Sequence, residues 1–197
     1  MRNKIILGGA AGTALIMFIL FSFQCSTGGK GELSAVDKVK RGEYLVATSG
    51  CNDCHTPKIY TDTGIMIDST RFLSGFQADE KLPEVPYDLT GPGEWGAITN
   101  ASFTAWVGPW GTSFAANLTP DMVTGSGAWT EQSFIAAMRT GKHLGAGRDI
   151  LPPMPWPNIA QMTDEDLAAI FAYLRSLKPI ENMVPPPVPP EGTIEAR

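Results

Sequence analysis

The chain has 197 residues, 43% of them hydrophobic and 18% charged, with a formal net charge of −5. This is an ordinary globular balance, enough for one domain plus extensions. The acidic excess argues against a nucleic-acid partner and favours a docking partner with a basic face. The 21 glycines and 16 prolines imply long loops between few regular elements.

Residues 1–25 read as an address. Met1-Arg2-Asn3-Lys4 is a short basic start, and Ile5 to Phe23 carries no charge. That stretch is long for the apolar core of a signal peptide and just long enough to span a membrane. Cys25 follows, in a placement that resembles the lipidated cysteine of a bacterial lipoprotein signal, although Gln24 is large for the position before it. Three readings stay open: a lipid on Cys25, an uncleaved transmembrane anchor, and a soluble secreted protein. Each puts the folded part outside the cytoplasm, on the periplasmic side of the cell envelope. Residues 26–33 form a short Gly-rich tether.

Residues 34–178 form the main domain. Ser34 to Ser49 reads as a helix, with Ser34 as N-cap and Asp37 in the first turn. Val36, Val39, Tyr44 and Ala47 fall roughly on one face, extended by Leu45 and Val46. Gly42 inside this helix costs stability relative to alanine, and reads either as a close contact with another helix or as a tolerated surface glycine.

Gly50 ends that helix, and Cys51-Asn52-Asp53-Cys54-His55 follows. C-x-x-C-H is the attachment signature of a c-type haem. Two thiols about one helical turn apart can each add to one vinyl group, and the next residue presents an imidazole to the iron. A zinc site usually needs four ligands, and the other candidates are only Cys25, in the N-terminal segment, and His143. A thioredoxin-like pair would need a βαβ pattern that the chain lacks.

Residues 56–99 are punctuated by Gly and Pro and read as loops, with one short helix near Thr70–Leu73. Met66 here reads as an apolar contact. Residues 100–127 carry Phe103, Trp106, Trp110 and Phe114 among turns. All five tryptophans lie between residues 95 and 156, and at least one is expected against the porphyrin. Thr130 caps a second helix, with Phe134, Ile135, Ala137 and Met138 on its apolar face and Gly141 at its end.

Ile150-Leu151-Pro152-Pro153-Met154-Pro155-Trp156-Pro157 follows. Methionine is a flexible residue, and the surrounding prolines restrict its backbone. A weak thioether ligand benefits from that pre-placement, so Met154 is the candidate sixth iron ligand. His143 is the alternative. A third helix spans 163–177, with Thr163 as N-cap, Asp166 in a capping-box position, and Leu167, Ile170, Phe171, Leu174 and Leu177 at helical spacing. Residues 179–197 form a Pro-rich tail, extended and polyproline-like in Pro185–Pro190, which reads as lying across the domain, reaching a partner, or standing solvated.

Helix, C-x-x-C-H, irregular middle, methionine loop, final helix: this order resembles the class I cytochromes c, across about Ser34–Leu177. The Leu-Pro-Pro-Met-Pro-Trp segment resembles the distal loop of bacterial membrane-associated members that serve dehydrogenases or respiratory complexes. The resemblance implies a mostly α fold packed around one covalent haem, with long irregular loops. It implies Cys51 and Cys54 as thioether residues and His55 and Met154 as axial ligands. It also implies a crossing of the first and last helices at Gly42 and Tyr44 against Phe171 and Tyr173. The middle is longer than in the small soluble members, so the carbonyl that orients the His55 ring cannot be named from spacing.

The expected function is electron transfer, with redox proteins, membrane-bound ones above all, as partners and the N-terminal segment as anchor. A thioether ligand and an apolar shell both favour the ferrous state and imply a fairly positive potential. The rival is a haem enzyme or gas sensor with an open distal site, which requires that Met154 not bind.

Overall fold

A computed structural model describes residues 33–85, 88, 90 and 95–190. The N-terminal segment with Cys25, and most of the tether, lie outside the described residues.

Among the described residues five α-helices carry the fold: α1 (Ala35–Thr48), α2 (Cys51–His55), α3 (Glu131–Thr140), α4 (Trp156–Ile159) and α5 (Asp164–Ser176). Each long helix begins as its sequence dictates. The Ser34 hydroxyl accepts from Asp37 N–H and the Thr163 hydroxyl from Asp166 N–H. Thr130 and Ser133 cap each other's backbone N–H reciprocally at the start of α3. Asp166 does not close a capping box. Its carboxylate instead takes a two-pronged bond from Arg41 of α1, at 2.9 and 3.2 Å.

Helices α1 and α5 cross at Gly42. A Cβ there would run into the Ala169 carbonyl and come within 2.7 Å of Tyr173 Cβ. Only glycine lets the two backbones come this close. Gly42 and Tyr173 meet as expected, but Tyr44 is 58% exposed and Phe171 turns toward Phe134 of α3, with ring centroids 5.5 Å apart. The crossing therefore sets the buried face of α1 at Gly42, Leu45 and Val46, leaving Val36 outside. Ala168 and Ala169 of α5 are buried with the larger residues, because small side chains fit under an approaching backbone. The core joins Leu45, Val46, Leu73, Phe134, Met138, Ile159, Leu167 and Ile170, among others. Among the described residues no helix is long and apolar enough to cross a membrane.

The described residues of the segments read as loops contain two small antiparallel sheets. Strands β1 (Lys58–Thr61) and β2 (Gly64–Ile67) form a hairpin, and β3 (Ile98–Thr99), β4 (Ala105–Gly108) and β5 (Gly111–Phe114) form a three-stranded sheet in that order. The hairpin exposes Ile59, Tyr60, Ile65, Met66 and Ile67, so Met66 is a surface residue rather than a core contact. A 3-10 turn at Ser69–Arg71 stands in place of the short helix expected there.

Residues 180–190 lie along the domain. Val188 exchanges both backbone hydrogen bonds with Thr112 of β5, at 2.8 and 2.9 Å. Gly111 lets the tail pass: its φ is +89°, and a Cβ would sit 2.7 Å from the Pro189 carbonyl carbon. Asn182 is buried, and its side chain bonds Ser74 O, Phe76 O and Ala78 N.

Candidate haem-binding site

Cys51, Cys54 and His55 are brought together by α2 itself. Gly50 turns the chain from α1 into α2 at φ 68°, a left-handed conformation that glycine adopts without cost. Both thiols are unpaired and half-buried. Burial pushes the Cys51 thiol up to about 11 and raises Cys54 as well, so both stay protonated near neutral pH. Lys58, at the start of β1, caps the far end of the helix. Its ammonium donates to Asn52 O, Asp53 O and Thr56 O at 2.9, 3.0 and 2.6 Å. The positive charge meets the carbonyl-rich helix end, where it is favoured.

The His55 ring is buried, and its Nδ1 lies 2.8 Å from the Ala116 carbonyl. A carbonyl can only accept, so Nδ1 carries the proton and Nε2 keeps its lone pair. Burial lowers the basicity of the ring and favours this neutral form. The acceptor is thus a main-chain group of alanine, which no residue-type pattern marks.

Ala116 is held by its neighbours. Phe76 N–H donates to Ala115 O, Leu118 N–H to Leu73 O, and Gly75 N–H to His55 O. Gly75 has φ +79°, and a Cβ there would lie 2.6 Å from Ala116 O. Thr56, fully buried, accepts from Leu73 N–H at 2.9 Å. Residues 73–76 and 115–118 therefore lie side by side behind the histidine. The tail braces both: Asn182 holds the first, and Asn117 Nδ2 donates to Ile180 O at 2.8 Å from the second.

Met154 is partly buried against the core cluster that Cys51 also packs against. Its loop is anchored on two sides. Ile150 N–H donates to Gly141 O at 2.7 Å, and Trp156 packs onto Gly141, where a Cβ would lie 2.5 Å from the indole Cζ2. From the sheet, the Ser113 hydroxyl donates to Pro152 O at 2.6 Å. His143, the alternative ligand, stands in a 3-10 turn with its ring edge-on to Trp129, centroids 4.8 Å apart.

The residues present fit a haem. Two free thiols and a buried neutral imidazole share one short helix. Trp106 Nε1 is buried without a protein acceptor among the described residues, and buried indole N–H groups ordinarily have one. Trp106 pairs across the strands with Ser113, so both side chains stand on the sheet face that meets the Met154 loop. A carboxylate on a group bound there would satisfy the N–H. Among the described residues no three His, Cys, Asp or Glu side chains cluster as a site for a bare metal ion.

Sequence reasoning missed Ala116, Ser113 and Lys58. Only the lysine carried a signal, a cation placed directly after a helix C-terminus.

Known proteins point the same way. The cytochrome c family model matches residues 39–178. The cytochrome c subunit of a quinone alcohol dehydrogenase from Gluconobacter oxydans is 29% identical over 150 residues, 75% of this chain and 23% of that protein. The cytochrome c subunit of gluconate 2-dehydrogenase from Pantoea cypripedii is 30% identical over 135 residues, 68% of this chain and 22% of that protein. The cytochrome subunit of fructose dehydrogenase from Gluconobacter japonicus is 32% identical over 148 residues, 75% of this chain and 23% of that protein. The matched part thus spans under a quarter of the length of these relatives. With the family model covering most of its length and a C-x-x-C-H helix at its centre, the chain belongs to the cytochrome c family.

Proposed function

We propose that the protein is an electron carrier with one covalent haem. Cys51 and Cys54 are its thioether residues, and His55 and Met154 its axial ligands. The observation that carries this reading is the buried His55 ring, fixed by Ala116 on the helix that presents both free thiols. Bound haem supplies a one-electron ferric/ferrous couple.

The chain's own residues make that couple easy to use. The Ala116 carbonyl fixes the tautomer and rotation of His55, and an outer hydrogen bond of this kind also raises the basicity of a ligand nitrogen. The Met154 loop is anchored from both α3 and the sheet, so the thioether needs little rearrangement between states. The Trp106 N–H offers a fixed donor for a carboxylate at the same face.

The relatives are named as cytochrome subunits of dehydrogenases. This supports a dehydrogenase as electron donor and the role of a subunit or tethered carrier. The apolar N-terminal stretch and Cys25 support membrane attachment on the periplasmic side.

The test is a ligand swap. The ferric wild type is expected to show low-spin haem and the near-infrared sulfur-to-iron band. Met154→Ala is expected to lose that band, and His143→Ala to keep it. A band unchanged in Met154→Ala would remove Met154 as ligand. A carbon-monoxide-sensitive, high-spin wild type would favour the open-site alternative.

A further inference from the structure

The methionine loop and the central sheet are distant in sequence and meet at one buried hydroxyl. Ser113 is 7% exposed, and its Oγ donates to Pro152 O at 2.6 Å. The same oxygen accepts from Trp110 Nε1 at 3.2 Å. The direction is unambiguous, because an indole N–H only donates and a carbonyl only accepts. The relay therefore runs from indole to hydroxyl to the backbone two residues before Met154.

Both ends of the relay are held. Gly108 leaves room for the Trp110 ring: a Cβ there would lie 2.5 Å from ring carbons Cη2 and Cζ3. Strand β5 is fixed on one edge by β4 and on the other by the Thr112–Val188 pair from the tail. Beyond the relay, Met154 N–H closes a turn to Leu151 O at 3.3 Å. Pro152, inside this turn, thus receives its bond from a strand paired on both edges.

We infer that Ser113 is a positioning residue for the sixth iron ligand: the Trp110–Ser113–Pro152 relay fixes the loop backbone so that the Met154 thioether stays on the iron. The inference rests on Met154 being that ligand. The side chain of methionine is flexible and its iron bond weak, so its occupancy depends on how firmly its backbone is held. The long middle segment then acts as a clamp on the distal loop.

The test is competition for the sixth site. Imidazole is titrated into the ferric holoprotein, and displacement of the thioether is followed by loss of the near-infrared band. A neutral hydrogen bond contributes enough that Ser113→Ala should bind imidazole about three- to tenfold more tightly. Ser113→Thr keeps the hydroxyl and should stay near the wild type. Unchanged imidazole affinity in Ser113→Ala overturns the inference. So does Ser113→Thr behaving like Ser113→Ala, which would point to packing rather than the hydroxyl. If Ser113→Ala does not accumulate as holoprotein, Trp110→Phe removes the outer bond while keeping an aromatic ring near Gly108 and should tighten imidazole about twofold; no change there also overturns it. A wild type without the band refutes the Met154 assignment itself and is visible before any variant is compared.

Discussion

Replacing Asn182 by alanine tests whether the tail is a structural strap. The side chain donates to Ser74 O at 2.7 Å and Phe76 O at 2.8 Å and accepts from Ala78 N–H at 3.0 Å. Ser74 and Phe76 are buried, so water cannot readily replace the lost donor at their carbonyls. A neutral hydrogen bond contributes about 1 kcal/mol net, and a stranded buried group costs more, up to about 3 kcal/mol. With two partners buried and one nearer the surface, Asn182→Ala should lose about 2–4 kcal/mol. For a chain of this size each kcal/mol lowers Tm by about 2–4 °C, so the melt should fall by roughly 4–16 °C. The assay is thermal and guanidinium unfolding of the holoprotein, followed by far-ultraviolet circular dichroism. Asn182→Asp keeps the acceptor but sets a carboxylate against two carbonyls, and should be at least as damaging. A loss below about 0.5 kcal/mol, the level of an ordinary surface substitution, would refute the reasoning.

Three further outcomes follow from local geometry. Gly42→Ala forces a Cβ into the Ala169 carbonyl and should cost about 1–3 kcal/mol in denaturant unfolding, whereas a neutral result would mean the helices do not cross there. Lys58→Gln removes a fixed positive charge from the end of the C-x-x-C-H helix, so the midpoint potential should move to lower values in a spectroelectrochemical titration; an unchanged or raised potential would contradict that role. The Asp121 carboxylate accepts from the Thr124 hydroxyl, Thr124 N–H and Val123 N–H, which holds its pKa below the usual carboxylate value. Its contribution to stability is therefore present above the unfolded carboxylate pKa and lost as pH falls through the lower folded one. A carbon-detected NMR titration should place its midpoint below about 3.9, the unperturbed value, and Thr124→Val should raise it; a wild-type midpoint at or above that value would refute the turn.

The parts legible in the sequence are those that side-chain chemistry specifies locally. Ser34, Thr130 and Thr163 marked three helix starts, and Gly141 marked a helix end with φ 67°. Gly42, with the family resemblance, pointed to the α1–α5 contact, which only a missing Cβ permits. Tyr44 misled, since its helical spacing was compatible with the core but the crossing at Gly42 rotates it outward. The strands were invisible because they are two to four residues long and set among Gly and Pro, too short for a period-two pattern to register. Ala116 acts through its carbonyl, which every residue carries. Ser113 and Asn182 gain their roles from partners in distant segments, Pro152 for one and residues 74–78 for the other. Such long-range hydrogen bonds leave no local signature.

The most direct measurement is the reduced and oxidised absorption spectrum of the purified protein, recorded with and without carbon monoxide and after acid–acetone extraction. One haem per chain that survives extraction, stays low-spin in both states and ignores carbon monoxide is the expected result. Extractable haem would contradict attachment through Cys51 and Cys54. A ferrous spectrum that shifts with carbon monoxide would contradict the closed iron on which the electron-carrier reading depends.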